Sequence, residues 1–144
     1  MARIKINQPP SYSFSTIIPI RITDINYGGH VGNNALLGII HEARIQFLSS
    51  YGYSEMNIEG LGLIMADVAI EFKSEIFYGD DITACVTASD IGKIGFDLIY
   101  KLEKINKDQT TTIAAIAKTG MICFDYSQKK VACLPTKAFR KLAS

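Results

Sequence analysis

The sequence predicts an α+β fold in which one long buried helix is wrapped by an antiparallel sheet of five or six strands. Residues 35–48 form an apolar run that is long enough for a core helix. After residue 61, short segments alternate apolar and polar side chains and are separated by turns rich in Gly, Asp, Asn and Lys. With 144 residues and 48% hydrophobic content, the chain is predicted to fold as a single domain, residues 1–144, with residues 1–12 as a flexible arm.

The first strand and the helix are predicted at the start of the chain. Residues 14–23 are rich in Ile, Thr and Phe, which favours a strand, and Pro19 places that strand at an edge or a bulge. Asn33 or Asn34 is a good N-cap for the helix, and Gly52 fits its C-terminal stop. Because apolar side chains cover most of the helix surface, we expect it to be buried on all sides.

The remaining strands follow one another as a meander. Tyr78-Gly79-Asp80-Asp81 and Asp90-Ile91-Gly92-Lys93 have the composition of turns, and the segments between turns have a period of two. The predicted strands cover residues 61–76, 82–89, 95–105, 110–126 and 131–134, and a last helical turn covers residues 135–142.

Composition and charge exclude several classes of function. The formal net charge of +1 argues against a nucleic-acid surface, and no apolar run is long enough to span a membrane. No apolar segment follows the first basic residues, so we expect no secretory signal, and the odd count of three cysteines fits reduced thiols in the cytoplasm. The chain has no zinc-ligand spacing and no phosphate-binding loop, so no metal is predicted.

Chemically useful groups are concentrated just before the long helix. Asp24 and Asn26 are two residues apart, so in an extended backbone their side chains point to the same side. His30 follows on a turn that Gly28-Gly29 opens to close backbone approach. The start of a helix presents unpaired N–H groups and partial positive charge. A carboxylate, an amide, an imidazole and these donors together indicate an acyl-transfer site.

Each of these side chains also has a structural interpretation. Asp24 and Asn26 are residue types that cap turns through hydrogen bonds to the backbone, and a single histidine is often structural. Glu42 lies within the helix, where a buried carboxylate needs a partner such as Arg44 or Arg21. The clustering beside a double glycine favours function for the turn, and Glu42 is a second-choice base.

A pattern of separated positions matches a known family. The positions are Arg21, Asp24, Gly29-His30-Val31, Asn33, Glu42-Ala43-Arg44 and Tyr78-Gly79-Asp80-Asp81-Ile82. In this order they resemble the hot-dog fold acyl-CoA thioesterases, the 4-hydroxybenzoyl-CoA thioesterase-like superfamily. The resemblance spans residues 15–126 and implies an acyl-CoA or acyl-carrier substrate and no further cofactor. It also implies a homodimer or homotetramer, because hot-dog sites form between subunits.

Two positions depart from the family pattern. Asn26 stands where many members have the catalytic aspartate, and Gly32 stands where an asparagine is usual. An amide has no basic lone pair near neutral pH, so Asn26 cannot be a nucleophile or a general base. It can still bind a carbonyl group or orient a water molecule.

The sequence therefore predicts a thioesterase that hydrolyses an acyl thioester to a free acid and a thiol. Asp24 or His30 draws a proton from water, and N–H groups near Val31 and Gly32 polarise the carbonyl. The catalytic candidates are Asp24, Asn26, His30 and Glu42, and the substrate-binding candidates are Tyr27, Gly29, Val31, Gly32, Asn33 and Asn34. The alternatives are a non-catalytic acyl-CoA-binding protein, which Asn26 motivates, and an enoyl-CoA hydratase of the same fold.

Overall fold

The computed structural model describes residues 1–144 and has the predicted order of elements. A strand precedes the long helix, and the other strands follow it, so the α+β hot-dog architecture is confirmed. The elements are β1 (Phe14–Pro19), a short 3₁₀ turn (Ile22–Asp24), α1 (Asn33–Ser50), β2 (Gly62–Phe72), β3 (Asp81–Ser89), β4 (Gly95–Ile105), β5 (Thr111–Asp125), β6 (Lys130–Val131) and α2 (Thr136–Ala143).

The six strands form one antiparallel sheet in the order β1-β3-β4-β5-β2, with β6 paired to the end of β5. β1 and β2 are therefore the two edges, which agrees with the position predicted from Pro19. β1 ends at Pro19, although we expected the strand to continue to residue 23. A proline cannot donate to a strand ladder, and the chain leaves the sheet at that point.

α1 packs one face on the sheet and leaves the opposite face exposed. Its buried side chains are Leu36, Ile39, Ile40, Ala43, Arg44, Phe47 and Leu48, which have helical spacing. Leu37 and Ile45 are 42% and 46% exposed, so the prediction of a helix buried on all sides is wrong. The sheet covers only one side of the helix.

The helix also starts earlier than predicted. Gly32 is the N-cap, in extended conformation, and no side chain caps the helix. Asn33 and Asn34, which we expected to cap it, lie instead in its first turn. The start of α1 is consequently not covered by a capping side chain, a point that matters for the site.

The core lies between α1 and the inward-facing side chains of the sheet. Val86, Tyr100 and Ala117 form one cross-strand row under the helix and are fully buried. Phe47 of α1 is also fully buried, and burial of a side chain of this size contributes about 1.5–3 kcal/mol. This packing fixes the axis of α1, and therefore the position of its first turn, relative to the strands. Neither helix has both the length and the hydrophobicity that crossing a bilayer requires.

Candidate active site

Asp24 is held inside its own turn. Its carboxylate accepts a hydrogen bond from the Arg21 backbone N–H at 2.8 Å, and the Arg21 guanidinium lies 3.7 Å away. The side chain is only 10% exposed. The expectation that Asp24 and Asn26 point to the same side of an extended strand is wrong, because the chain forms a 3₁₀ turn at Ile22–Asp24. In this position the Asp24 carboxylate stabilises the turn.

Asn26 and His30 lie on either side of Gly28. The Asn26 side-chain oxygen accepts a hydrogen bond from the Gly28 N–H at 2.9 Å. A Cβ atom at Gly28 would lie 3.3 Å from that oxygen and 3.4 Å from Nε2 of His30, so glycine leaves space between the two groups. Gly29 closes the turn with a φ of 84°, a conformation that favours glycine. The Tyr27 side chain is fully exposed.

The His30 ring is oriented by the backbone. Nδ1 lies 3.2 Å from the carbonyl oxygen of Val31, and because a carbonyl oxygen only accepts, Nδ1 carries the hydrogen. In the neutral ring, Nε2 then has a free lone pair, which is the state a general base requires. Nε2 lies 4.0 Å from the Glu75 carboxylate, and the His30 side chain is 35% exposed.

The free N–H groups at the start of α1 belong to residues 33–35. The Val31 N–H donates to the Ile76 carbonyl at 2.8 Å, and the Gly32 N–H donates to the Asp24 carbonyl at 3.2 Å. These two groups, which we expected to polarise a substrate, are therefore already occupied within the subunit. The next three N–H groups have no partner, as is general for a helix start without a capping side chain. These groups, directly after the two residues that we expected to polarise the substrate, have the geometry that an oxyanion hole needs.

Glu42 is exposed on α1, although we expected it to be a buried carboxylate. It accepts a hydrogen bond from Gln46 at 3.1 Å and pairs with neither Arg44 nor Arg21. The buried charge of the helix is Arg44, which is 6% exposed and donates from Nε to Glu55 at 3.4 Å.

The predicted site residues fall on two sides of α1. A groove of about 740 Å³, which we call the β1-side groove, lies between α1 and β1 and is lined by Asp24, Asn34 and Glu42 among others. A cleft of about 300 Å³ lies between the first turn of α1 and the end of β2 and is lined by His30, Val31 and Asn33. Asn26, Tyr27, Gly29 and Gly32 line neither space. The carboxylates and the imidazole are thus not brought together.

A separate cleft lies further along the helix, and two of its lining residues, Gly38 and His41, also line the β1-side groove. It has a volume of about 260 Å³ and is lined by later residues of α1 and earlier residues of β2. We call the two clefts together the β2-side groove. Its principal lining residues are His30, Asn33, Leu36, Leu37, Ile40, Arg44, Met65, Val68, Phe72 and Thr119.

A buried polar cluster lies beneath the far end of this groove. Arg44 donates from Nη1 to the Tyr100 hydroxyl at 3.3 Å, and that hydroxyl lies 2.8 Å from Oγ1 of Thr119. Burial raises the pKa of Tyr100 above its ordinary value, so the phenol stays neutral and available for hydrogen bonding. No three His, Cys, Asp or Glu side chains are arranged to hold a metal ion.

Two contributors to the site were missed in the sequence. Glu75 reaches His30 from the loop after β2, a contact between distant parts of the chain that no local motif indicates. The free Ala35 N–H was missed because Asn33 or Asn34 was expected to cap the helix. The available signal was the glycine directly before the helix. A glycine at the N-cap has no side chain to cap the helix, so the N–H groups of the next three residues stay free.

Free N–H groups at a helix start and an imidazole are groups that acyl-transfer chemistry uses. The family model of the thioesterase-like superfamily matches residues 20–142. The chain therefore belongs to the thioesterase-like superfamily. No curated protein matches this chain by sequence.

Several solved structures share the fold. A thioesterase superfamily protein from Jannaschia sp. CCS1 has a TM-score of 0.82 at 14% identity, over 94% of this chain and 84% of that chain. The 1,4-dihydroxy-2-naphthoyl-CoA thioesterase from Synechocystis has a TM-score of 0.77 at 24% identity, over 90% and 93%. The 4-hydroxybenzoyl CoA thioesterase from Pseudomonas sp. strain CBS-3 has a TM-score of 0.79 at 12% identity, over 90% and 99%. At these identities the similarity establishes the hot-dog fold.

Proposed function

We propose that this protein is an acyl-CoA thioesterase that hydrolyses an acyl thioester to a free acid and a thiol. The observation that carries the proposal is the start of α1, where the N–H groups of residues 33–35 have no partner and where Asn33 lines the same cleft as the oriented ring of His30. Removal of one such donor in an acyl-transfer enzyme costs on the order of 3 kcal/mol of transition-state stabilisation. Membership of the thioesterase-like superfamily supports the same reaction class.

In the proposed reaction, the thioester carbonyl oxygen accepts hydrogen bonds from the N–H groups of residues 33–35. Nε2 of His30 takes a proton from a water molecule as the water oxygen attacks the carbonyl carbon, and negative charge develops on the carbonyl oxygen. When the C–S bond breaks, the imidazolium returns the proton to the leaving thiolate. The products are a carboxylic acid and a thiol, and the reaction requires neither a metal nor another cofactor.

The other polar groups support this arrangement. Glu75, 4.0 Å from Nε2 of His30, stabilises the imidazolium that forms during the reaction. Asn26 accepts the Gly28 N–H and so holds the turn that carries His30. Asp24 positions the turn through its hydrogen bond to Arg21 and does not act as the base.

We also propose that two copies of the chain form the working enzyme. The outer edge of β2 has no strand partner, and its inner-face side chains Met65, Val68 and Phe72 are 47%, 39% and 58% exposed. With Leu37 of α1, they form an apolar strip along the β2-side groove, and an exposed strand edge of this kind is completed by pairing. A second copy at this edge would cover the groove and exclude water from the site.

The proposal is tested by release of free thiol from a panel of aliphatic and aromatic acyl-CoA thioesters, with binding of the same compounds measured in parallel. We expect turnover with at least one compound, at a rate well above hydrolysis in buffer. Absence of thiol release from every compound that binds would contradict the proposal.

A non-catalytic acyl-CoA-binding protein is the second candidate. It is favoured by Asn26, whose amide occupies the position where an aspartate is expected and already accepts the Gly28 N–H. This candidate predicts saturable binding of acyl-CoA without thiol release, so the same pair of measurements separates the two functions. Loss of enoyl-CoA absorbance without free thiol would instead indicate the hydratase.

A further inference from the structure

The cleft of about 300 Å³ beside His30, which we call the near cleft, has polar and apolar lining residues. Ser74 and Glu75, in the loop after β2, are polar. Leu36 and Phe72 are apolar, and they are the lining residues that lie furthest into α1 and β2. Because an acyl chain is apolar, we expect it to extend from the thioester carbonyl towards these two side chains.

The cleft of about 260 Å³, which we call the far cleft, follows along the same two elements without joining the near cleft. Ile40 of α1 and Val68 of β2 line it, and no residue lines both clefts. Leu36 and Ile40 are four positions apart and are therefore neighbours on one face of the helix. Val68 and Phe72 have an even spacing and therefore point to the same face of the strand.

Ile70 lies between the two clefts. It is the residue of β2 that shares the inner face with Val68 and Phe72 and stands between them, and it lines neither cleft. Its strand partner is Ala117, which is fully buried under α1. The Ile70 side chain is partly buried and packs against the main core. It therefore occupies the space between the clefts and closes the apolar end of the near cleft.

The near cleft is short along the helix. Its lining residues on α1 run from Asn33 to Leu36, three helical positions, which corresponds to about 4.5 Å at the rise of an α-helix. An acyl group whose carbonyl lies at residues 33–35 therefore has room for only a few carbon atoms before it meets Ile70. A longer chain must displace a side chain that is packed on the core, or turn out into water, and each of these costs free energy.

We propose that Ile70 sets the length of the acyl group that this protein accepts, and that its substrates are thioesters of short acyl chains. The inference rests on the proposed thioesterase function and names its substrate class. Ile70 determines specificity at the end of the acyl chain and takes no part in the proton transfer.

The test compares kcat/KM for butyryl-CoA, hexanoyl-CoA and octanoyl-CoA, measured by thiol release. In the wild type we expect octanoyl-CoA to be about tenfold poorer than butyryl-CoA, with hexanoyl-CoA between them. Ile70→Ala should join the clefts and bring the ratio of octanoyl-CoA to butyryl-CoA close to one. Both rates come from one sample, so partial unfolding lowers both and leaves the ratio unchanged. Ile70→Val, which disturbs the packing least, should raise the ratio by a smaller amount and decides the test if the alanine variant does not fold.

Ile99→Ala is the matched control. Ile99 of β4 is 6% exposed and lies between Leu98 and Tyr100, which are fully buried in the main core, so its side chain faces the outer side of the sheet. It lines neither cleft. This variant removes the same atoms from a buried position and should keep the wild-type ratio. A rise equal to that of Ile70→Ala would show that loosening anywhere in the fold changes the ratio, and would overturn the inference.

The other outcomes separate the inference from the function on which it rests. If the wild type hydrolyses octanoyl-CoA as well as butyryl-CoA, or if folded Ile70→Ala keeps the wild-type ratio, the inference is overturned and the thioesterase function stands. The same holds if none of the three compounds releases thiol but other acyl-CoA thioesters do. If no acyl-CoA of any kind releases thiol, the proposed function itself fails.

Discussion

The two sides of α1 differ in what their polar groups are free to do. The β1-side groove is the larger, and its two carboxylates, Asp24 and Glu42, accept hydrogen bonds from Arg21 and Gln46. The β2-side groove contains the His30 ring, whose Nε2 has no hydrogen-bonding partner and lies 4.0 Å from Glu75. In the proposed reaction, the reactive side is therefore neither the larger groove nor the one with Asp24 and Glu42.

The comparison shows that proximity in sequence does not bring groups to one site. Asp24 and His30 are near neighbours in the chain, but the start of α1 passes between them and each faces a different groove. What distinguishes His30 is the free lone pair of Nε2, in the cleft that Asn33 also lines. In the proposed reaction, the β2 side of α1 is therefore the catalytic side.

The largest expected effect separates the two sides directly. His30→Ala should lower kcat for acyl-CoA hydrolysis at least ~100-fold, because it removes the general base. Glu42→Gln, on the opposite side of α1, should retain activity within about threefold, because Glu42 is not the general base. Loss of a general base would lower the rate much more than this. Thiol release under saturating substrate is the measurement, and circular dichroism checks that both variants are folded.

The reverse pattern would place the chemistry in the β1-side groove. If Glu42→Gln were inactive and His30→Ala close to wild type, Glu42 would be the base, and the proposed use of His30 would be wrong.

The second prediction concerns which side of the subunit meets its partner. Val68→Asp places a charge on the exposed inner face of β2 and should reduce the mass in sedimentation from that of two chains to that of one. Ile17→Asp is the matched change on β1, the other edge strand, where Ile17 is 61% exposed. It should leave the dimer intact. Dissociation caused by Ile17→Asp alone would move the interface to β1.

The third prediction concerns Asp24 as a structural group. Asp24→Asn should lower the free energy of unfolding by about 1–2 kcal/mol, because the buried carboxylate accepts the Arg21 N–H, and should lower kcat less than tenfold. Asp80→Asn is the control, since Asp80 accepts the N–H of Phe77 with the same spacing and distance in an exposed turn. Urea unfolding measures both variants. A loss of kcat comparable to that of His30→Ala would contradict a purely positioning role.

The smallest effect concerns Tyr100 beneath the β2-side groove. Burial raises its pKa above the ordinary value of 10.0. The unfolded chain therefore loses this proton first as the pH rises, so the stabilisation is present below pH 10 and is lost above it. Tyr100→Phe should make the fall in unfolding free energy above pH 10 shallower, by up to about 1.4 kcal/mol per pH unit. An unchanged slope in urea titrations would show that the phenol is not buried in a neutral state.

The fold could be predicted from the sequence because its signals are local and periodic. The alternation along β3 and β4 and the apolar spacing of α1 each specify an element and its buried face. The exposed face of α1 could not be predicted, because it carries apolar residues such as Leu37 and Ile45, which by composition alone indicate a buried face. Exposed apolar residues of this kind are typical of a surface that binds a second copy or a ligand, and the sequence of one chain contains neither.

The arrangement of the candidate site residues could not be predicted from the sequence. His30 and the helix start were identified correctly as features of one turn, but the division into two grooves depends on contacts between distant segments. The bond from the Val31 N–H to the Ile76 carbonyl occupies one expected donor and brings Glu75 to His30, and a linear motif contains neither fact. Because the N–H groups of Val31 and Gly32 are occupied, the free N–H groups are those of residues 33–35.

A crystal structure with a non-hydrolysable acyl-CoA analogue tests the central claim most directly. The account predicts that the carbonyl oxygen lies about 3 Å from the backbone nitrogens of residues 33–35, with His30 facing the thioester carbon and the acyl chain in the β2-side groove. An acyl chain in the β1-side groove, with the carbonyl beside Asp24 or Glu42, would contradict it.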